Sequence, residues 1–278
     1  MINARRIAGR STFMLLLAGF FLYAAFPLYY AVISSLQQGS QLFEPTYLPR
    51  SANLENYVAV FGEQPFARSI LNSFAVGLGT VAVTLFLATL AAYALGRIRF
   101  RGRRSVLFAF LTVSMFPQVA VLSGMFELIR WLGLYNTLPA LVLSYLVLTL
   151  PFSIWVLTAF MRELPTEIEE AAILDGASRW TILTRILAPL AAPAIVTTGL
   201  LALIIAWNEF LFALTFSLGP ESRTVPVAIA LISGASQHEL PWGVLMAASV
   251  VVAVPLVAIV LVFQGRIVSG LTTGALKG

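Results

Sequence analysis

The sequence predicts an all-α polytopic membrane protein: six transmembrane helices and a helical elbow in the longest charged segment between two of them. Three observations carry that prediction. Hydrophobic residues make up 59% of the 278-residue chain and charged residues only 10%, against about 45–50% and about 25% in a soluble domain. Six runs carry no charge at all: 11–43, 69–96, 105–126, 131–161, 186–208 and 240–265. Each exceeds the roughly 20 residues a helix needs to cross a bilayer core. The runs are continuously apolar rather than alternating, which disfavours membrane strands.

The first span is expected at about 13–36. It follows Arg5, Arg6 and Arg10, as a secretory leader would. Its apolar part is longer than the 7–15 residues of such a leader, and it ends in aromatics and Pro27 rather than a small-residue cleavage site. A retained span is therefore expected, followed by a long loop over about 37–68. The second span, about 69–95, offers Ser73 with Gly77 and Ala88 with Ala92 as small residues four apart, suited to close helix contact. Then come the basic run Gly96 to Arg104, a third span at about 105–125 with Pro117, and a fourth at about 138–161 with Pro151. After the elbow, a fifth span is expected at about 193–216 and a sixth at about 244–264 with Pro255. The three prolines are candidate kinks whose freed carbonyls neighbours can satisfy. This organisation divides the chain into 1–66 (start, first span and long loop), 67–265 (a core carrying the elbow at 163–190) and 266–278 (a tail).

Charge sets the orientation. With the N-terminus cytoplasmic, the inside segments hold Arg5, Arg6, Arg10, Arg97, Arg99, Arg101, Arg103, Arg104, Arg162, Arg179, Arg185, Arg266 and Lys277, which is 13 of 17 basic residues. The outside segments hold Arg50, Arg68, Arg130 and Arg223. Such asymmetry is what the positive-inside rule requires, and both termini then lie in the cytoplasm. The net charge of +5 speaks of topology beside anionic lipid rather than of nucleic acid.

Several chemistries are excluded. The chain has no cysteine, so it has no thiolate catalysis and no thiolate metal site. Its single histidine, His238, falls in an outside loop and forms no histidine pair for a metal. Lys277, the only lysine, is followed by one glycine, so no phosphate-binding GxxxxGK[ST] loop exists. No cofactor is expected on this chain. Uphill transport would draw on an ion gradient or on a separate ATPase chain. Glu209, in Ala206-Trp207-Asn208-Glu209, is the one clear acid inside a span, and a lone acid is slender equipment for ion coupling.

The elbow is the most informative segment. Thr166 and Glu169 have capping-box spacing beside Pro165. Glu167, Glu169 and Glu170 load the first turns with the charge that suits a helix N-terminus. Ala171 and Ala172 are small enough for close contact with a partner. Asp175-Gly176 ends the helix, because glycine takes the left-handed conformation a C-cap needs. Ser178 can cap a second helix, in which Trp180, Leu183, Ile186 and Leu187 share a face. Pro189 is expected to stop it, and Pro193 to precede the fifth span. An amphipathic helix lying at the membrane interface is the plain alternative.

The sequence here resembles a known family. Glu170-Ala171-Ala172, Gly176, Ile186 and Pro189 match the signature loop of the membrane subunits of binding-protein-dependent ABC importers. Ala188 stands where that signature usually has leucine. Nearly the whole chain is similar to the smaller sugar permease of the maltose type, through Leu54-Glu55-Asn56-Tyr57, Asn72-Ser73, Ala91-Ala92-Tyr93-Ala94, Phe116-Pro117, Ala206-Trp207-Asn208-Glu209 and the end Gly270 to Gly278.

The resemblance implies a type I ABC importer permease fold in the inner membrane. It implies pairing with a second permease subunit, as a heterodimer, above two ATPase subunits that bind ATP and Mg, and service by an extracytoplasmic solute-binding protein. By carry-over, Glu169, Glu170, Ala171, Ala172, Leu174, Asp175, Gly176 and Ala177 would couple to the ATPase. Gly270, Thr273, Gly274 and Lys277 would lie in a tail that reaches it. The cargo would be a carbohydrate, a di- or oligosaccharide. Its path needs hydrogen-bonding and aromatic groups, for which Trp207, Asn208 and Glu209, then Gln118, Ser114, Tyr145 and Ser153, are the candidates. The long outside loop, about 37–68, would receive the binding protein. A gradient-driven carrier or channel is the alternative. An intramembrane enzyme finds no nucleophile–base pair in this sequence.

Overall fold

The structure, a computed structural model, describes residues 2–39, 48, 53–62, 65–232 and 241–275. Every regular element among the described residues is a helix. Four helical stretches are long and apolar enough to cross a bilayer: Thr12–Ser35 of α1 (Ile2–Ser35), α3 (Phe66–Arg97), α6 (Leu138–Glu163) and Trp242–Gly265 of α13 (Trp242–Ala275). Two bent helix pairs bring the number to six if each counts as one span. The chain is therefore a multi-pass membrane protein, and α6 and α13 run on through Pro151 and Pro255.

Two of the expected spans are corrected. The third is not one helix over 105–125. It is α4 (Arg103–Ser114) and α5 (Gln118–Trp131), bent by 99°. Pro117 is the reason: it offers no N–H and its ring collides with the carbonyl four residues back, while the residue before it is driven out of the helical region. The fifth does not run 193–216. Helix α10 (Ala192–Asn208) stops, Glu209 is extended with ψ 126°, and a short α11 (Leu211–Phe216) begins anew.

The chain divides into two compact units, residues 1–65 with 231–255 and residues 66–230 with 256–278. In the first, α2 (Glu55–Gly62) is tied to the end of α1. Asn56 Nδ2 donates to the carbonyls of Ser35 (2.8 Å) and Gln37 (2.9 Å). The Ser35 and Tyr57 hydroxyls pair at 2.7 Å. Gly243 leaves room for this link, since a Cβ there would stand 2.6 Å from Asn56 Nδ2. Residues 40–47, 49–52 and 63–64 of the long loop, and His238, lie outside the described residues.

The second unit is centred on α3, α6 and α10. Small residues set their approach, as expected. Ser73, Gly77, Ala88 and Ala92 are all buried. A Cβ on Gly77 would meet Leu203 of α10 at 2.9 Å, and one on Gly199 of α10 would meet Leu85 of α3 at the same distance. Thr84 and Thr149 join α3 to α6 by a buried hydroxyl bond of 2.7 Å, the polar glue that apolar surroundings favour. Two apolar clusters fill this unit. One gathers Tyr93, Leu157, Met161, Ala172, Ile182 and Leu187 at the elbow end. The other gathers Val76, Ile129, Leu141, Tyr145, Phe212 and Phe216 at the opposite end, joined by Val227 of α12 (Val225–Ala230).

Candidate functional site

The elbow begins with α7 (Thr166–Leu174), whose N-cap is Pro165. The expected capping box does not form, because Glu169 turns away from the helix start and pairs with Arg97, its Oε2 lying 2.8 Å from Nε. The expected stop does form. Asp175 is the C-cap and Gly176 follows at φ +81°. The Gly176 amide donates to the Ile173 carbonyl (3.0 Å) and the Ala177 amide to the Ala172 carbonyl (2.9 Å). These two bonds define a Schellman turn, which satisfies the last carbonyls of the helix.

Ser178 then caps the next helix, its Oγ accepting from the Thr181 amide at 3.1 Å. That helix is α8 (Arg179–Thr181), a π-helical stretch Ile182–Leu187 and α9 (Ala188–Leu190). Pro189 does not stop it. The chain continues to Leu190 before bending by 78° into α10. The π turn makes this possible: the Ala188 amide reaches back five residues to the Leu183 carbonyl. The wider turn loosens the four-residue register with which a proline ring would collide. It also corrects the expected face. Ile182, Leu183 and Leu187 are buried, whereas Trp180 is 58% exposed.

Arg97, at the end of α3, anchors the base of the elbow. Its guanidinium donates to Glu169 Oε2 (2.8 Å) and to the carbonyls of Leu164 (2.8 Å), Pro165 (3.1 Å) and Met161 (3.4 Å). Tyr93 adds its hydroxyl to Glu169 Oε1 at 3.2 Å. Arg162 returns the favour to α3, donating to the Leu95 carbonyl at 3.2 Å. Helices α3 and α6 end side by side here, so unpaired carbonyls and the negative ends of two dipoles converge. Arginine is the side chain that answers both. The predicted coupling residues divide around this anchor. Glu169 and Ala177 are half-buried and Ala172 is buried in the fold, while Glu170, Ala171, Leu174, Asp175 and Gly176 are exposed. Leu174 is 88% and Ile173 55% exposed.

The predicted path residues also divide. Glu209 is buried at the break after α10. Its Oε1 accepts from Gln118 Nε2 (2.6 Å) and the Phe212 amide (2.8 Å), and its Oε2 from the Ala213 amide (3.0 Å). The carboxylate therefore caps α11 and ties it to α5. Tyr145 is buried, with its hydroxyl near Glu209 and Thr224 but closing no hydrogen bond to either. Trp207 packs edge-on against Phe74, ring centroids 4.8 Å apart. The others are not gathered with them. Asn208 and Ser114 are exposed and bond back to their own helices, to the carbonyls of Ile204 and Leu111. Ser153 is buried and bonds the Thr149 carbonyl. The open groove along α5, about 480 Å³, is lined by Val119, Ser123, Glu127 and Thr215 among others, and by none of the predicted path residues.

A family model described as the binding-protein-dependent transport system inner membrane component matches residues 84–273. The chain belongs to that family. Its relatives are transport permeases. It is 43% identical, over 91% of both chains, to the "Trehalose/maltose transport system permease protein MalG" of Thermococcus litoralis. It is 38% identical to the "Trehalose transport system permease protein SugB" of Mycobacterium tuberculosis, over 92% of this chain and 93% of the other. The fold matches, at TM-score 0.80 and 26% identity, a chain from the "Crystal structure of a bacterial ABC transporter involved in the import of the acidic polysaccharide alginate", covering 94% of this permease and 96% of that chain.

The backbone of this permease is helical through Gly270, Thr273 and Gly274 to Ala275, and Lys277 lies outside the described residues. Sequence reasoning missed Arg97, Ile173 and Trp180. Arg97 closes an apolar run, but Arg99, Arg101, Arg103 and Arg104 follow it directly, so the sequence does not single it out. No sign was available for Trp180, because a helical wheel assumes the regular period that the π turn breaks.

Proposed function

We propose that this permease is the transmembrane subunit of an ATP-driven ABC importer for a carbohydrate, a di- or oligosaccharide, and that its elbow couples ATP hydrolysis on a separate ATPase to alternating access. One observation carries the reading. The elbow presents Ile173, Leu174 and Trp180 to solvent on a capped turn, while its other face is buried and ion-paired. Large apolar side chains held rigidly in an otherwise charged surface mark a docking site. Ligand-driven movement of the partner can then shift this subunit between states, provided its contacts differ between them. The chemistry of ATP and Mg belongs to the ATPase subunits, two per complex, and this chain performs none.

The carbohydrate assignment is supported by the names of the relatives, which specify trehalose and maltose. A second permease subunit completes the path, a solute-binding protein delivers cargo, and both termini lie in the cytoplasm with the elbow. The exposed residues Glu170, Ala171, Leu174, Asp175 and Gly176 would meet the ATPase, with Glu169, Ala172 and Ala177 holding them in place. Glu209, Gln118, Tyr145 and Trp207 would border the path. Glu209 is engaged by two backbone amides and Gln118, which disfavours it as the coupling acid of the gradient-driven alternative.

Leu174→Asp tests the coupling reading better than a bulky replacement of Gly176, whose positive φ would strain any side chain. In the reconstituted complex, Leu174→Asp should lower cargo-stimulated ATPase activity and transport tenfold or more, with an unchanged unfolding midpoint for the permease. Undiminished transport would overturn the role given to the elbow.

A further inference from the structure

A cleft of about 410 Å³ opens at the elbow end of the second unit, between the end of α3, the turn before α4, the end of α6 and α7. Arg97, Arg99, Arg103 and Arg162 line it, against Glu169 and Glu170. The charges do not cancel. Arg97 and Glu169 satisfy one another at 2.8 Å, which leaves three guanidinium groups facing Glu170. Arg162 gives one N–H to the Leu95 carbonyl, while Arg99 and Arg103 make no hydrogen bond or ion pair among the described residues. An open cleft walled by unpaired guanidinium groups concentrates anions, and guanidinium forks fit phosphate oxygens in particular.

Two further features say which anion. The cleft sits where the membrane-crossing helices α3 and α6 end, at Arg97 and Glu163, which is headgroup depth. Beside it stands α4, which buries no residue and leaves Val106 and Phe108 exposed, with Phe100 exposed just before it. A polar, basic hollow adjoining an uncovered apolar helix suits a molecule that is anionic at one end and greasy at the other. Basic pockets at helix ends take anionic lipid headgroups for this reason.

We propose that this cleft binds the phosphate of an anionic phospholipid, held by Arg99 and Arg103 beside Thr166, with the acyl chains against α4. Bound there, the lipid would brace the turn after α3 against the elbow. The cleft shares Glu170 and Ile173 with the elbow surface given to the ATPase, but lipid binding to the lone chain can fail or hold without deciding the coupling role.

The test uses the delipidated full chain in neutral detergent, titrated with short-chain phosphatidylglycerol, short-chain phosphatidylcholine or inorganic phosphate, with binding read by native mass spectrometry and by the unfolding midpoint. Saturable binding of phosphatidylglycerol alone is expected. Arg99→Gln/Arg103→Gln should weaken it about tenfold, and Arg101→Gln/Arg104→Gln, an equal charge loss at arginines that do not line the cleft, should change it less than about threefold. All four side chains lack intramolecular partners among the described residues, so folding is preserved. Equal weakening by both double variants, or equal binding of phosphatidylcholine, overturns the site. Phosphate competing at the same concentration as phosphatidylglycerol keeps the anion site but overturns the lipid as its occupant.

Discussion

Glu169 and Glu209 are both turned into the second unit, and the fold satisfies them in opposite ways. Glu169 stands at the edge of the apolar slab and is met by a cation, Arg97, with Tyr93 in support. Glu209 stands within it and is met by neutral donors, two backbone amides and Gln118. The difference follows from solvation. At the rim, Arg97 is buried but Glu169 keeps 17% of its side chain exposed, and the helix-end carbonyls add to the ion pair in offsetting the desolvation of the guanidinium. Deep among apolar side chains, bringing in a second charge costs several kcal/mol, and N–H groups already released by a helix break are the cheaper partners. One carboxylate therefore fastens two elements across a polar rim, and the other makes a helix break possible among apolar side chains.

Removing the deep carboxylate should have the larger effect. Glu209→Leu leaves the buried Phe212 and Ala213 amides without their acceptor. A loss of about 3 kcal/mol is expected, read as a shift in the unfolding midpoint in detergent. Glu209→Gln keeps an acceptor for one amide and should lose about half as much. A shift below about 1 kcal/mol for Glu209→Leu would mean that the break does not depend on the carboxylate.

At the rim, Arg97→Leu should cost about 2 kcal/mol. Breaking a well-buried pair costs more than that, but Glu169 retains access to water, which screens the loss. The loss also includes the carbonyls of Met161, Leu164 and Pro165, so Glu169→Gln, which spares them, should cost clearly less than Arg97→Leu. If the two variants were equally destabilised, the helix-end carbonyls would contribute nothing, and the contrast between rim and interior would reduce to the ion pair alone.

The same contrast explains what was legible in the sequence. The spans of α1, α3, α6 and α13 are written in their charge-free runs, because hydropathy registers burial in lipid directly. The Schellman turn is written in Asp175-Gly176, because backbone conformation at a positive φ selects glycine. The break at Glu209 was not legible, since apolar sequence continues on both sides and glutamate is an unusual cap. Pro117 was legible as a kink, but a bend of 99° depends on where α5 finds its packing partners. Arg97 was hidden by its neighbours: in a run of five arginines, only tertiary structure shows which one turns inward. The faces of the second elbow helix were lost to a π turn, which inserts a residue into the period without any mark in composition.

The smallest effect sharpens the rim half of the comparison. Tyr93→Phe removes one neutral donor, 3.2 Å from a carboxylate that keeps Arg97, and should cost about 0.5 kcal/mol. In an Arg97→Leu background the same change deprives Glu169 of its last donor among the described side chains, and the cost should rise to about 1.5 kcal/mol. The double-mutant cycle reads that difference as a coupling between Tyr93 and Arg97 through the carboxylate they share. Purely additive costs would mean that water takes the place of Arg97 at once. The rim carboxylate would then be held by solvent as much as by protein, and only Glu209 would depend wholly on donors that the fold supplies.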